Sequence, residues 1–217
     1  MTAALCLVPP FVRPGEDDVV AHFDALAAVS PLPLVVYHVP HRTGQQLSAE
    51  AVRRLAAIDA VIGIKYAPEA IDADAVDLLT DPPPRFAVLA GTDGLLAPML
   101  ALGAHGAIAA SAHLATAQFV ALTNAWQYGH ADHAKSLGHR LARLSTALFA
   151  EPNPTVIKGV LNAQGRVPTP AVRLPLLPAA KTNVDTAMQS LYDMETSPAP
   201  RPAGSQDPDR TRAGSRG

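Results

Sequence analysis

Five short apolar runs punctuate the first half of the chain, and each is followed by a stretch long enough for a helix. They are Leu5-Cys6-Leu7-Val8, Leu34-Val35-Val36-Tyr37-His38-Val39, Val61-Ile62-Gly63-Ile64-Lys65, Phe86-Ala87-Val88-Leu89 and Ala107-Ile108-Ala109-Ala110. A strand that is apolar at successive positions has both faces covered, which is the habit of parallel sheets with helical crossovers. The intervening segments read as those crossovers. Residues 17–28 carry Val20, Phe23 and Ala27 at helical spacing, and 48–58 begin on Ser48, a good N-cap, with Val52, Leu55 and Ala56 on one face. Residues 71–79 and 95–102 repeat the pattern. The alternation dictates an α/β fold on a parallel sheet.

Past residue 112 the rhythm changes to helix alone, over 113–128, 131–149 and 155–163, with Gly129 and Pro152 as breaks. Leu174-Pro175-Leu176-Leu177-Pro178 is an extended link to a last helix over 184–194. From Thr196 onward the chain holds Pro, Gly, Ser, Arg and Asp without large apolar residues, the composition of a disordered tail. Three parts are therefore expected: strand–helix units over 1–112, a helical region over 113–195 and a tail over 196–217.

Charge and cysteine content exclude several classes of function. A net charge of −2 and a pI near 6.4 leave no electrostatic footprint for nucleic acid or an anionic membrane. The lone Cys6 rules out a disulfide framework and any cysteine-based metal site. No apolar run approaches the roughly 18 residues of a membrane span, and the N-terminus lacks the features of a signal peptide. A soluble, cytoplasmic protein is expected.

Only four lysines occur, and of these Lys65 alone ends an apolar strand. The carboxyl ends of parallel strands are where such sheets hold ligands. Desolvation there lowers an ammonium pKa and frees the amine to attack a carbonyl; the alternative is a lysine that snorkels to the rim or pairs with a carboxylate. Tyr37 ends the preceding strand in the same way and could relay a proton, or be a satisfied core tyrosine. Arg42, in the loop that follows, could hold a substrate carboxylate or stand in solvent. Gly91-Thr92-Asp93-Gly94 is read as the cap of the next helix. His130 and His133 have a spacing found in metal sites but no evident third ligand, and a solvated turn is expected. Glu151-Pro152-Asn153-Pro154 is read as a helix break and restart.

In chain order, several stretches resemble the dihydrodipicolinate synthase / N-acetylneuraminate lyase family, pyruvate-dependent class I aldolases on a (β/α)8 TIM barrel. They include Pro9-Pro10-Phe11-Val12-Arg13-Pro14, Tyr37-His38-Val39-Pro40-His41-Arg42-Thr43-Gly44, Gly63-Ile64-Lys65, Ala87-Val88-Leu89-Ala90-Gly91-Thr92-Asp93 and Gly103-Ala104-His105-Gly106-Ala107-Ile108. Glu151-Pro152-Asn153-Pro154 with Lys158, then Val172-Arg173-Leu174-Pro175-Leu176, extend the match through the helical region. The resemblance implies that Lys65 forms a Schiff base with pyruvate or a related 2-keto acid and that Tyr37 shuttles the proton. It implies that Ile108 offers a backbone contact to the keto acid, that Arg42, in an Arg42-Thr43-Gly44 context, receives the second substrate, and that Thr43 belongs to the same substrate-binding set. No metal or organic cofactor is implied. The partners it implies are a 2-keto acid and an aldehyde, with a homo-oligomer implied for full-length relatives.

Two departures stand out. Pro10-Phe11 occupies the place of a family Tyr-Tyr pair, and neither residue can carry a proton. The family's Gly-Thr-Thr-Gly-Glu loop, which binds the keto acid carboxylate, is absent from the sequence. By the resemblance, the strand at Leu5 is the fourth of eight, and at roughly 30 residues per unit about 90 residues would precede it. The expectation is an incomplete barrel holding strands 4 to 8. The leading function is a Schiff-base lyase or synthase. The alternatives are a truncated non-catalytic remnant or ligand-binding relative, and a keto-deoxy sugar-acid aldolase or dehydratase.

Overall fold

The computed structural model describes residues 2–196 of the 217. The first half holds β1 (Ala4–Leu7), α1 (Glu16–Val29), β2 (Leu34–His38), α2 (Pro40–Thr43), α3 (Ala49–Ala56), β3 (Val61–Tyr66), α4 (Ala73–Thr80) and β4 (Ala87–Ala90). A 3-10 turn at Asp93–Leu95 runs into α5 (Leu96–Ala101), followed by β5 (Gly106–Ala107). Four helices complete the chain: α6 (Ala112–Gln127), α7 (Ala131–Leu148), α8 (Thr155–Ala163) and α9 (Lys181–Thr196). The strands form one parallel sheet in the order β1-β2-β3-β4-β5, with β1 and β5 as its two edges among the described residues. The expected α/β architecture with a parallel sheet is what the chain adopts.

Register decides which side chains meet. Cys6, Val36, Ile64 and Val88 stand in one row across the sheet, and the last three are fully buried under the helices. Phe23 of α1, Leu55 of α3, Leu78 of α4 and Met99 of α5 cover this face, each wholly buried. Fully burying one such side chain stabilises by roughly 1.5–3 kcal/mol, so this layer outweighs any surface contact. The next row, Leu7, Tyr37, Lys65, Leu89 and Gly106, faces the opposite way. A register shift between Leu34 and Val35 takes up one extra residue of β3, after which the pairing runs in step to the strand ends.

The outer helices are fixed at their N-termini by their own caps and by one another. Ser48 Oγ accepts from the Ala51 N–H at 3.1 Å, as its sequence position predicts, and Asp72 caps α4 by accepting from the Ala75 N–H at 2.9 Å. Glu16 of α1 accepts from the Ser48 N–H at 2.6 Å, while Asp74 of α4 accepts from the Ala49 N–H at 3.0 Å. The start of α3 is thus held from both sides by carboxylates placed where the helix dipole favours them. The Arg54–Asp17 and Arg53–Asp77 pairs lie at the surface, where such bonds contribute little.

Three differences from the sequence-based expectation trace to particular residues. The strand expected over 107–110 keeps only Gly106–Ala107. Ile108 still donates its N–H to Ala90 O at 2.9 Å, but the Ser111 N–H then turns to Asp93 Oδ2 at 2.5 Å and draws the chain off the sheet. A one-turn helix, α2, forms in the expected loop because Pro40 sits at its start and Gly44 closes it with φ 71°. Helix α9 begins at Lys181, where Glu151 accepts from the Ala180 N–H and from Asn183 Nδ2. The helical region does not stand apart: Leu122, Leu141, Val156 and Leu191 share one core with the strands. The expected tail lies outside the described residues, except for Thr196 at the end of α9. Among the described residues no helix is long and apolar enough to cross a membrane.

His38, at the end of β2, is fully buried and stacks on Tyr66 with ring centroids 5.4 Å apart. Among the described residues neither ring nitrogen has a hydrogen-bond partner. Burial pushes its pKa from 6.5 down to about 4, against the opposing pull of the Asp72 carboxylate. The imidazole is therefore neutral in the folded chain, and the unfolded chain takes up the proton first. Stability from this site is complete above about pH 6.5, falls as the pH drops, and reaches its floor near pH 4. The expected loss is about 3 kcal/mol. Urea unfolding of the chain and of His38→Phe at pH 7 and pH 4 checks it: the variant should lose less stability on acidification by about that amount.

Candidate active site

The pairing of β2 with β3 sets Tyr37 directly opposite Lys65 on the sheet face that the outer helices do not cover. Lys65 Nζ lies 4.1 Å from the centroid of the Tyr37 ring. The negative face of a phenol attracts an ammonium at this distance and favours one placement of a long, otherwise mobile side chain. Gly91, just past β4, makes the room. A Cβ there would lie 2.9 Å from Lys65 Cγ and 2.8 Å from Ala67 Cβ, so the lysine stem passes over a position that admits only hydrogen. Its N–H donates to Tyr66 O at 2.7 Å, tying this turn to the end of β3.

A cavity of about 410 Å³ opens at these strand ends. The β2 end and α2 contribute Tyr37, Val39, His41 and Arg42; β3 and the residues after it contribute Lys65 and Ala67. The turn after β4 supplies Gly91, Thr92, Asp93 and Gly94, and the segment after β5 supplies Ala110. The far wall comes from the helical region, through Ser145, Thr146 and Phe149 at the end of α7 and Asn153 beyond it. Thr92 Oγ1 donates to Pro68 O at 2.7 Å, fixing the turn after β4 to the turn after β3. Asp93 is buried, and its bond to the Ser111 N–H joins the turns after β4 and β5.

Three of the residues singled out in the sequence, Lys65, Tyr37 and Arg42, meet on this cavity. Thr43 and Ile108 do not line it. Thr43 is buried, and its hydroxyl lies within hydrogen-bonding distance of Val39 O at 3.3 Å and Gln45 O at 3.4 Å, which steadies the loop that carries Arg42. Ile108 lies past the end of β5, 36% exposed. Phe11 projects into solvent, 95% exposed, with φ 70°. His130 and His133 are exposed at the α6–α7 junction, and among the described residues no three His, Cys, Asp or Glu gather as a ligand set.

Gly91, Asp93, His41, Ser145, Phe149 and Asn153 were not picked out as site residues from the sequence. Asp93 follows the carboxyl end of β4 and obeys the same positional rule that selects Lys65. The α7 residues carry no such local signal, since only tertiary packing brings that helix over the sheet. Together the wall offers a primary amine, a phenol beside it, a guanidinium and a carboxylate, in a volume suited to a small carbonyl compound. Gly91→Ala is expected to force the lysine stem aside and to cost roughly 1–3 kcal/mol from overpacking. A lower urea midpoint with an unchanged slope checks this.

The sequence and the fold have known counterparts. The family model for the dihydrodipicolinate synthetase family matches residues 1–193. The 4-hydroxy-tetrahydrodipicolinate synthase of Methanothrix thermoacetophila is 38% identical over 183 residues, covering 83% of this chain and 61% of that protein. That of Synechococcus elongatus is also 38% identical, covering 83% of this chain and 60% of its own length. Among solved structures, dihydrodipicolinate synthase from Thermotoga maritima superposes with a TM-score of 0.84 at 29% identity, over 89% of this chain and 66% of that one. The chloride-inhibited dihydrodipicolinate synthase from Acinetobacter baumannii, complexed with pyruvate, gives 0.83 at 32% identity, over 89% and 66%. The chain thus spans about three fifths of the length of the curated relatives it matches. Its parallel sheet is of the (β/α)8-barrel class, and the chain belongs to the dihydrodipicolinate synthetase family.

Proposed function

We propose that the chain forms a Schiff base between Lys65 and pyruvate or a related 2-keto acid and joins or cleaves a carbon–carbon bond through the resulting enamine. The observation that carries this reading is the Lys65 amine, 4.1 Å over the Tyr37 ring on the wall of a cavity at the carboxyl ends of parallel strands. The free amine adds to the C2 carbonyl, giving a carbinolamine, and loss of water leaves the imine. Tyr37 delivers the proton to the departing hydroxyl and receives one on the return path. Loss of a proton from C3 gives the enamine, whose C3 attacks an aldehyde carbonyl. Hydrolysis then releases the product and restores the amine. Lysine is the one covalent group that this chemistry needs, and it calls for no cofactor.

Arg42 makes no ion pair among the described residues and takes the role of carboxylate receptor for the second substrate. Ile108 is assigned a backbone contact at the rim. The five strands correspond to the fourth to eighth of the barrel, and the working form is a homo-oligomer. A second reading, binding of the keto acid without turnover, is favoured by one observation: Pro10-Phe11, which cannot carry a proton, stand where the resemblance expects a Tyr-Tyr pair.

Borohydride reduction in the presence of pyruvate, read by intact mass, tests the proposal. The wild-type chain should gain one reduced pyruvate and Lys65→Ala none; an undiminished adduct in Lys65→Ala would sink the assignment. Tyr37→Phe should slow adduct formation by about 10²-fold or more, the usual worth of a positioned proton donor. An adduct that never turns over with any aldehyde identifies the binding-only reading.

A further inference from the structure

We propose that Asp93 is a positioning residue: its carboxylate clamps the main chain after β5, so that the stretch from Ile108 to Ser111 forms a fixed seat for the keto acid opposite Lys65. This inference rests on the Schiff-base reading of Lys65 and gives a part to a side chain that does not itself react. Asp93 is 6% exposed and lines the same cavity as Lys65. No ion pair joins the two among the described residues. The carboxylate accepts instead from the Ser111 N–H at 2.5 Å, a short, charge-assisted bond to a residue far along the chain. A carboxylate is buried at such a place only where a donor meets it.

Two bonds bracket the seat. Ile108 donates its N–H to Ala90 O at 2.9 Å, and Ser111 donates its own to Asp93. Ala110, between them, lines the cavity. Both acceptors belong to the end of β4 and the turn after it, and the same turn carries Gly91, over which the Lys65 stem passes. The lysine and the backbone wall are thus referred to one short stretch of chain. Nothing beyond β5 does this locally. Ser111 stands at the start of α6, but its side chain makes no cap, and its hydroxyl has no partner among the described residues. The Asp93 carboxylate takes the place of that cap, at the helix end where the dipole favours an anion. Tyr37 and Lys65, by contrast, are set by the pairing of β2 with β3, in which Asp93 has no part. Loss of the clamp therefore weakens binding of the keto acid and leaves the amine in place.

The experiment is borohydride labelling over a range of pyruvate concentrations, with peptide mapping, on the wild-type chain, Asp93→Ala and Asp93→Asn. In Asp93→Ala the concentration for half-maximal labelling should rise roughly tenfold, the loss expected for one hydrogen bond, while labelling at saturation stays on Lys65 and undiminished. Asparagine keeps an oxygen that accepts from the Ser111 N–H, so Asp93→Asn should stay within about threefold of wild type. Should Asp93→Ala fail to fold, Ser111→Pro removes the donor instead, at a φ of −61° that proline adopts, and should raise the half-maximal concentration by the same factor. A half-maximal concentration that loss of the bond leaves unchanged overturns the clamp. So does Asp93→Asn as impaired as Asp93→Ala, which would make the charge rather than the bond the cause. So does labelling that falls at saturation alone, the mark of a merely structural residue. No adduct on a folded wild-type chain overturns the Schiff-base reading, and this inference with it.

Discussion

Side chains along a strand alternate between two faces, so the pairing that sets Tyr37 against Lys65 is the same pairing that sets Val36 against Ile64. The buried row settles the register. Val36, Ile64 and Val88 are fully enclosed beneath the outer helices, and a slip of one residue would bring Tyr37 and Lys65 into that layer instead. An uncompensated ammonium there costs several kcal/mol, more than one apolar contact returns. The apolar face therefore holds the chemical face in place. The Lys65–Tyr37 pair needs no local device of its own beyond the absent Cβ of Gly91.

The turns after each strand complete the site by binding one another. Thr92 reaches to Pro68, Asp93 to Ser111, and the Gly91 N–H to Tyr66, so the ends of β3, β4 and β5 are linked by side-chain and main-chain bonds that local sequence neighbours do not supply. The helical region then closes the far side with α7. It draws on the same core as the sheet, and the cavity is built from both halves of the chain rather than from the strand–helix units alone.

Much of this was legible in the amino-acid sequence where the cause is local. Ser48 as a cap, the five apolar runs, and a lysine and a tyrosine ending neighbouring strands follow from spacing and residue type. Features that depend on distant partners were not legible. The early end of β5 follows from Asp93 capturing the Ser111 N–H, and the start of α9 from Glu151, which lies beyond its own helix. Gly91 reads as an ordinary turn glycine until the Lys65 stem is seen crossing it. Ser145 looks like any helical serine until its hydroxyl is found without a carbonyl. Ile108 and Thr43 were drawn from motif resemblance, and they stand beside the cavity wall rather than on it.

Peptide mapping of the wild-type chain after borohydride reduction with pyruvate is the most direct measurement, because it asks which of the four lysines the fold has made reactive. A single modified peptide carrying Lys65 is the expected result. Label on Lys135, Lys158 or Lys181, or a folded chain that takes no label at all, would contradict it.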